Sequence, residues 1–414
     1  MLKNRHQIRR ISVIGIALAM SFAATAVSAS AASRSSHSKA AHVSHKPILI
    51  GTEAPLTSPL FSLPENINGM DAAISVINAK GGINGHPLKL VSCDTMLSAN
   101  GELSCAHTLI SDHVVAVVDS TVVIDQSGEE FHLFARAGIP YFAGPGTSAA
   151  ELTSTNSFPL SSGSVGWFYG PVKALINAGA TKFGIMAGVQ ASVEEYSAAF
   201  VLAAFKAYGI SSSDVNVVYC DPTSDPTLAA CSAKVTANGV NGIFMIPNNP
   251  VLMVQALNSS GYTGKLAGVS STTEAALGYL GSAANGNLVA SQTAFATDLS
   301  NPAVVSFRAN MAKYQPSGKI DGNSLSAYAS ILLFADVAKT STAKTLTAAT
   351  FKKAAQSIRK PIRIGLIGPW ATLGVKPVLP QYPRILSPYV QIGSVVNGAF
   401  QANGAGFINP VPKH

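Results

Sequence analysis

The stretch from residue 47 to residue 94, PILIGTEAPLTSPLFSLPENINGMDAAISVINAKGGINGHPLKLVSCD, constrains the fold more than any other part of the chain. Its apolar run Ile48, Leu49, Ile50 ends at Gly51 without alternating. A strand covered on both faces reads this way, as in a parallel sheet. Ile67, Met70, Ile74 and Ile77 then follow at i, i+3, i+7 and i+10, with Ala73 between them, one stripe on a helical cylinder. Gly81 can close that helix in a left-handed conformation, and Gly82, Gly85 and Pro87 turn the chain into Leu88, Leu90 and Val91. The unit is therefore β-α-β. Residues 52–63, rich in Pro, Ser and Thr, exceed a minimal βα loop, and excess at the carboxyl end of a parallel strand points to a ligand.

The same rhythm continues. After Asp94 the pattern predicts a helix containing Cys105, Leu109 and Ile110, a strand over 114–118, a helix with Phe131, Phe134 and Ala135, and a strand over 139–142. From residue 180 it restarts with strands over 183–186, 215–218, 242–246 and 266–269 and helices over 197–208 and 251–259. This predicts an α/β chain of two doubly wound parallel-sheet lobes. About 370 residues beyond a leader also exceed what one core accommodates.

The lobes share a second feature. V-S-C-D at 91–94, with Cys105 downstream, parallels V-Y-C-D at 218–221, with Cys231 downstream. Four cysteines allow three connectivities, of which Cys93 with Cys105 and Cys220 with Cys231 is both local and repeated. Loops this small each contribute on the order of 2–3 kcal/mol. A four-cysteine metal site would need close C-x-x-C pairs, which are absent.

The opening of the chain reads as targeting. Lys3, Arg5, Arg9 and Arg10 precede an apolar run over 11–27 diluted with Ala and Ser, and small residues at 27–31 form a cleavage-type site. Residues 1–32 are therefore read as an export signal rather than a membrane anchor, for which the run is short. No cysteine lies near the cleavage site, so lipid attachment is not expected and the chain is placed in a periplasm or outside the cell. Residues 33–46, Ser, Ala, His and Lys without an acid, read as a flexible linker, and His37, His42 and His45 there lack a scaffold for a metal. This end also accounts for the charge. Residues 1–46 hold seven of the 28 Lys and Arg and none of the 20 Asp and Glu, leaving 21 against 20. A near-neutral body with no basic stripe interleaved with aromatics excludes nucleic acid as a partner.

The residues I-N-A-K-G-G-I-N-G at 77–85, followed by H-P-L-K-L-V and Cys93-Asp94, resemble the N-terminal signature of periplasmic ligand-binding proteins of the leucine/isoleucine/valine type. A second anchor, A-G-I-P-Y-F-A-G-P-G-T-S-A-A-E-L-T at 137–153, resembles that family's strand and ligand-binding turn. The resemblance implies a type I periplasmic binding protein fold with a three-segment hinge, crossing near 161–163, near 290–293 and after Pro361. It divides the chain into lobe 1 over 47–161 plus 292–362 and lobe 2 over 162–291 plus 363–414. It also implies a small-molecule ligand held between the lobes and an ABC transporter permease as the partner.

Carried over residue by residue, the resemblance puts Phe61 and Ser62 where a residue closes over the ligand. Ser120 and Thr121 match a serine loop by order, although the alignment can slip toward Ser127. Gly146, Thr147 and Ser148 match the turn that holds an α-carboxylate by a backbone N–H and a hydroxyl, with the choice between Thr147 and Ser148 open. Each hydroxyl has helix capping as its plainer reading, and one group can cap a helix and face an anion at once. In the second lobe, Asn248 or Asn249 stands near a position where the family often has an aromatic. Tyr196 offers a further contact or a core aromatic. The acid that anchors a ligand ammonium in the family falls at Ser270, with Glu274 four residues on. Without that carboxylate, an amide, a urea-like molecule or a small organic acid suits the site as well as an amino acid does.

Other functions leave weaker traces. Residues 144–149 fit G-x-G-x-x-A, but Pro145 inside the turn and export away from nucleotide pools argue against a dinucleotide site. No G-x-S-x-G, H-E-x-x-H or P-loop occurs, so the chain reads as a binding protein without a cofactor rather than an enzyme, a secreted hydrolase being the distant rival. A ligand-sensing receptor subunit is the nearer one.

Overall fold

The computed structural model describes residues 46–59, 62–121, 128–188, 193–246 and 249–413, the side chains of 193–196 excepted. The export signal and linker read over 1–46 therefore lie outside the described residues, Lys46 apart. Two sheets build the two lobes. The first contains β1 (Ile48–Ala54), α1 (Pro64–Ala79), β2 (Leu88–Asp94), α2 (Ala99–Ser111), β3 (Val117–Val118), α3 (Glu129–Arg136), β4 (Tyr141–Phe142), α4 (Ala149–Thr153) and β5 (Ser157–Phe158). Its five strands are parallel in the order β2-β1-β3-β4-β5.

The second lobe follows α5 (Gly163–Asn177) with β6 (Phe183–Gly188), α6 (Val193–Ala207), β7 (Val215–Cys220), α7 (Ala229–Val235), β8 (Gly242–Ile246), α8 (Pro250–Ser259), β9 (Lys265–Val269), α9 (Ser270–Leu280) and β10 (Leu288–Ser291). The chain then returns through α10 (Pro302–Tyr314), α11 (Gly322–Lys339) and α12 (Ala348–Gln356) and ends in β11 (Val390–Val396) and β12 (Ala399–Ile408). The sheet order is β12-β11-β10-β9-β8-β6-β7, antiparallel only where β11 and β12 join. The α/β architecture expected from the rhythm is the one observed.

The cysteine repeat is structural. β2 and β7 are edge strands, and each is tied at its carboxyl end to the next helix, by Cys93–Cys105 and Cys220–Cys231, with Cα atoms 5.6 and 5.7 Å apart. In register, Glu53 lies beside Cys93 on β1 and β2, and Gly188 beside Cys220 on β6 and β7. The next residue, Asp94, accepts from Leu56 N–H at 2.8 Å and from the Thr57 hydroxyl, so the stapled corner also holds the long loop after β1.

Some elements are shorter than their apolar runs. Only Val117 and Val118 of the 114–118 run are in ladder, although Val115 N–H still reaches Leu49 O at 2.8 Å. The apolar run that opens at Leu288 is in ladder only as far as Ser291, where the chain turns into a crossing. Ser161 Oγ bonds Gln292 Oε1, and Gln292 Nε2 donates to Gly163 O at 2.9 Å, joining two crossings side by side. The third runs beside them, with Ala294 N–H donating to Leu366 O at 2.8 Å.

The first lobe's core extends far along the chain. Phe142 meets Phe158, Phe334, Phe351 and Trp370, and Trp370 Nε1 donates to Pro159 O at 2.8 Å. Helices α1 and α11 cross so closely at Gly69 that a methyl group there would overlap Ser324 O. A backbone carbonyl cannot swing aside as a side chain does. Gly69→Ala is therefore expected to cost roughly 1–3 kcal/mol in a denaturant melt despite the better helix propensity of Ala.

Candidate functional site

Parallel sheets gather ligands where the strand order reverses, outside the carboxyl ends. In the first sheet that point lies between β1 and β3. Thr121 N–H donates to Glu53 O at 3.1 Å and Glu53 N–H donates to Ser120 Oγ at 3.0 Å, so the serine loop is sewn to the end of β1. Tyr141 from β4 donates its hydroxyl to Ser120 O at 2.7 Å. Ser120 is fully buried and Thr121 nearly so.

The turn after β4 is built by Glu151. Thr147 N–H donates to Glu151 Oε2 at 3.0 Å, and Gly146 N–H also supports that carboxyl. Ser148 Oγ accepts from Glu151 N–H at 3.1 Å as the cap of α4. Gly146 has φ +72° and lies against Gly163, so this close approach also requires glycine. Ser148 is buried, and Thr147 is partly exposed. Helix capping therefore holds for Ser148, whereas the Ser120 oxygen caps no helix and instead ties its loop to β1. Each hydroxyl retains a hydrogen that can be donated while its oxygen accepts.

Ser62 is exposed just ahead of α1. Phe61, Asn248, the Tyr196 side chain and Ser127 lie outside the described residues, while Asn249 caps α8 by accepting from Leu252 N–H at 3.0 Å. Ser270 opens α9, partly buried, where the resemblance puts an acid. Glu274, one turn on, reaches into the first lobe, where Oε2 accepts Gly322 N–H at 2.9 Å at the start of α11. Beside it, Asn323 donates to Glu65 of α1 at 3.1 Å. This contact brings the carboxyl end of β9 to the region where α1 leaves the carboxyl end of β1.

Sequence reasoning missed the carboxyls that support these loops. Asp119, with φ +55°, turns the chain off β3, and Ala143, with φ +54°, turns it off β4. Ser330 of α11 spans both, with its hydroxyl 2.8 Å from Asp119 Oδ1 and 3.1 Å from Ala143 O. Asn66 Nδ2 donates to Asp119 Oδ2 at 3.2 Å. Burial pushes Asp119 up to about 8, against the weaker opposing effect of these two hydrogen bonds. The Ser330 hydroxyl has one hydrogen for three acceptors, Asp119 Oδ1, Ala143 O and Ser326 O at 3.0 Å. Burial likewise pushes Glu151 up to about 8, and Glu53 and Glu274 to about 7. Glu102 and Glu130 are buried near Glu53, and the Glu102 charge adds to its rise. The available signal was an acid ending an apolar strand, as in V-V-A-V-V-D-S at 114–120. Among the described residues no group of His, Cys, Asp and Glu is arranged to hold a metal.

The sequence profile described as periplasmic binding protein matches residues 47–376, which takes in strands of both sheets. The chain belongs to the periplasmic binding protein family. A "Leu/Ile/Val-binding protein homolog 2" of Brucella abortus is 34% identical over 110 residues, 26% of this chain and 28% of the relative. The match thus spans little more than a quarter of that curated relative. An extracellular ligand-binding receptor from Verminephrobacter eiseniae shares the fold with TM-score 0.73 and 20% identity, over 86% of this chain and 99% of its own. LivJ from Streptococcus pneumoniae, solved in complex with isoleucine, superposes with TM-score 0.68 and 17% identity, over 88% and 100%. A fatty acid ABC transporter substrate-binding protein from Thermomonospora curvata superposes with TM-score 0.70 and 16% identity, over 90% and 96%. No helix among the described residues of this binding protein is long and apolar enough to cross a membrane.

Proposed function

We propose that this chain is an exported solute-binding protein, cleaved after a signal over residues 1–32, that captures a small polar or amino-acid-like ligand between its lobes and delivers it to an ABC permease. The observation that carries this reading is the family match over residues 47–376, which spans both lobes. Lobe 1 takes 47–161 and the returning segment from 292. That segment is taken to 362, and Leu366, Ile367, Trp370 and Ala371 beyond it also pack in the Phe142 core. Thr147 or Ser148, with Ser120 or Thr121, holds the ligand from lobe 1. Lobe 2 closes over it, and only contacts made by both lobes select the closed state.

Ligand chemistry follows from the second lobe. Glu274 is turned to the start of α11, and Ser270 offers no charge, which favours a ligand without an ammonium group: an amide, a urea-like compound or an organic acid. The fold itself is neutral on this point, because similar structures are described with isoleucine and as a fatty acid binder.

A thermal-shift screen against amino acids, amides, urea-like compounds and organic acids tests the reading, since a ligand well above its Kd adds several kcal/mol to stability, roughly 2.7 at a hundredfold excess. Stabilisation only by compounds lacking an ammonium group is the expected result. Stabilisation by leucine or valine returns the ligand to the amino acids, and a flat response to every compound overturns the small-ligand reading. With a ligand in hand, Ser148→Ala should weaken binding by about 1–2 kcal/mol. Unchanged affinity in both this variant and Thr147→Ala would remove the turn after β4 from the site.

A further inference from the structure

The positive charge of the folded body is concentrated in one segment of the chain. Residues 339–363 carry seven of the 21 Lys and Arg found after residue 46 and no Asp or Glu. The rest of the body holds 14 Lys and Arg against 20 Asp and Glu, a net −6. Segregation of this kind creates a local field that a mixed surface would cancel.

That segment lines a cavity of about 720 Å³, formed by the turn after α11, one side of α12 and the residues that follow it. Lys353, Arg359 and Lys360 line it, with the hydroxyl residues Ser341 and Thr342. The ion pairs among the described residues are Arg136–Glu129, Lys319–Asp321 and Lys339–Asp336, so none of the three lining cations is neutralised. Two lining hydroxyls also have hydrogens to give. Ser341 Oγ accepts from Ala343 N–H at 3.4 Å and donates to nothing, and Thr342 makes no side-chain hydrogen bond among the described residues. The cavity is remote from the lobe contact. Eighteen residues of α11 separate it from Gly322, about 27 Å along the helix axis.

We propose that this cavity is a second binding site, for a phosphate-bearing polyanion, on the lobe 1 surface. An arginine fork, two ammonium groups and two free hydroxyl donors suit an oxyanion with several acceptor oxygens better than a single carboxylate. The volume admits a phosphorylated small molecule or the headgroup of an anionic lipid. The reading stands apart from the ligand cleft, because none of its residues belongs to that site.

The test uses the chain lacking residues 1–32, which keeps the compact unit from Ser44 to His414 intact. Tripolyphosphate is titrated by calorimetry at low ionic strength, and co-sedimentation is measured with phosphatidylcholine vesicles with and without phosphatidylglycerol. The variant Lys353→Gln/Arg359→Gln/Lys360→Gln is compared with Lys89→Gln/Lys206→Gln/Lys265→Gln, which removes the same charge elsewhere. Binding of either probe that falls at least about tenfold in the cavity variant, and little in the control variant, supports the site, given what charged hydrogen bonds contribute. Salt should weaken it, as the cations are exposed. Tripolyphosphate binding identifies a free phosphorylated ligand, and vesicle binding alone identifies a lipid headgroup. Equal losses in the two variants, or no binding of either probe, overturn the proposal, and neither result touches the ligand screen of the cleft.

Discussion

Raising the pH from about 5 to about 8 is expected to lower the stability of the folded chain, by roughly 1.4 kcal/mol per pH unit for each buried carboxyl over the range in which it alone stays protonated in the fold. Glu53 and Glu274 are pushed up to about 7, and Asp119 and Glu151 to about 8, in each case first by burial. The folded state therefore binds more protons than the unfolded chain between the ordinary carboxylate range and pH 7–8. Stability held by these protonated acids is fully present below the unfolded values and is lost as the pH rises through the folded ones. Denaturant melts at constant ionic strength across this range give the slope directly. Glu53→Gln, neutral at every pH, should flatten it. Stability that is level or increasing from pH 5 to pH 8 would show that these carboxyls are ionised in the fold. The same titration bears on the site, because the carboxyls of Asp119 and Glu151 brace the loops after β3 and β4.

Phe142→Ala is expected to cost about 3–5 kcal/mol. The ring is fully buried, with centroids 5.0 Å from Phe351, 5.7 Å from Trp370, 6.2 Å from Phe334 and 6.3 Å from Phe158. These partners come from β5, α11, α12 and the segment after α12, so one truncation opens a cavity that four separate parts of the chain line. Urea melts should show a lower midpoint with an unchanged slope, and Phe142→Leu should retain most of the stability. A loss below about 1 kcal/mol would mean that the neighbours collapse into the space. Because Phe142 ends β4 two residues before Gly144, the variant should also bind ligand more weakly.

Much of the fold was legible because its signals are local. Ile48, Leu49 and Ile50 before an i, i+3, i+7 stripe specify β1 and α1 whatever surrounds them. The C-D pairs at 93–94 and 220–221 marked two equivalent edge strands and both disulfides. Elements whose residues are ambiguous alone were harder to see. Helices α4, α5, α9, α10 and α12 and strands β5 and β12 were not read, and the tail around Trp370 gave no hint that its indole packs on Phe142 and donates to Pro159.

The candidate site divides the same way. Ser120, Thr121, Thr147 and Ser148 stood out as hydroxyls at strand ends, and the absence of an acid at Ser270 was plain from the residues. What no local pattern carried was the support beneath them. Ser330 meets Asp119 across 211 residues, and Glu274 meets Gly322 across 48.

By itself, then, the sequence determined the alternation of strand and helix, the two lobes, the disulfide corners and the polar strand ends, since hydrophobic period, turn residues and short cysteine spacings act within a few residues of chain. The tertiary structure alone decided which acids are buried, which helix start receives Glu274 and that the turn after α11 shares a cavity with Lys353, Arg359 and Lys360. Burial and charge depend on neighbours brought together by folding, and distance along the chain says nothing about them.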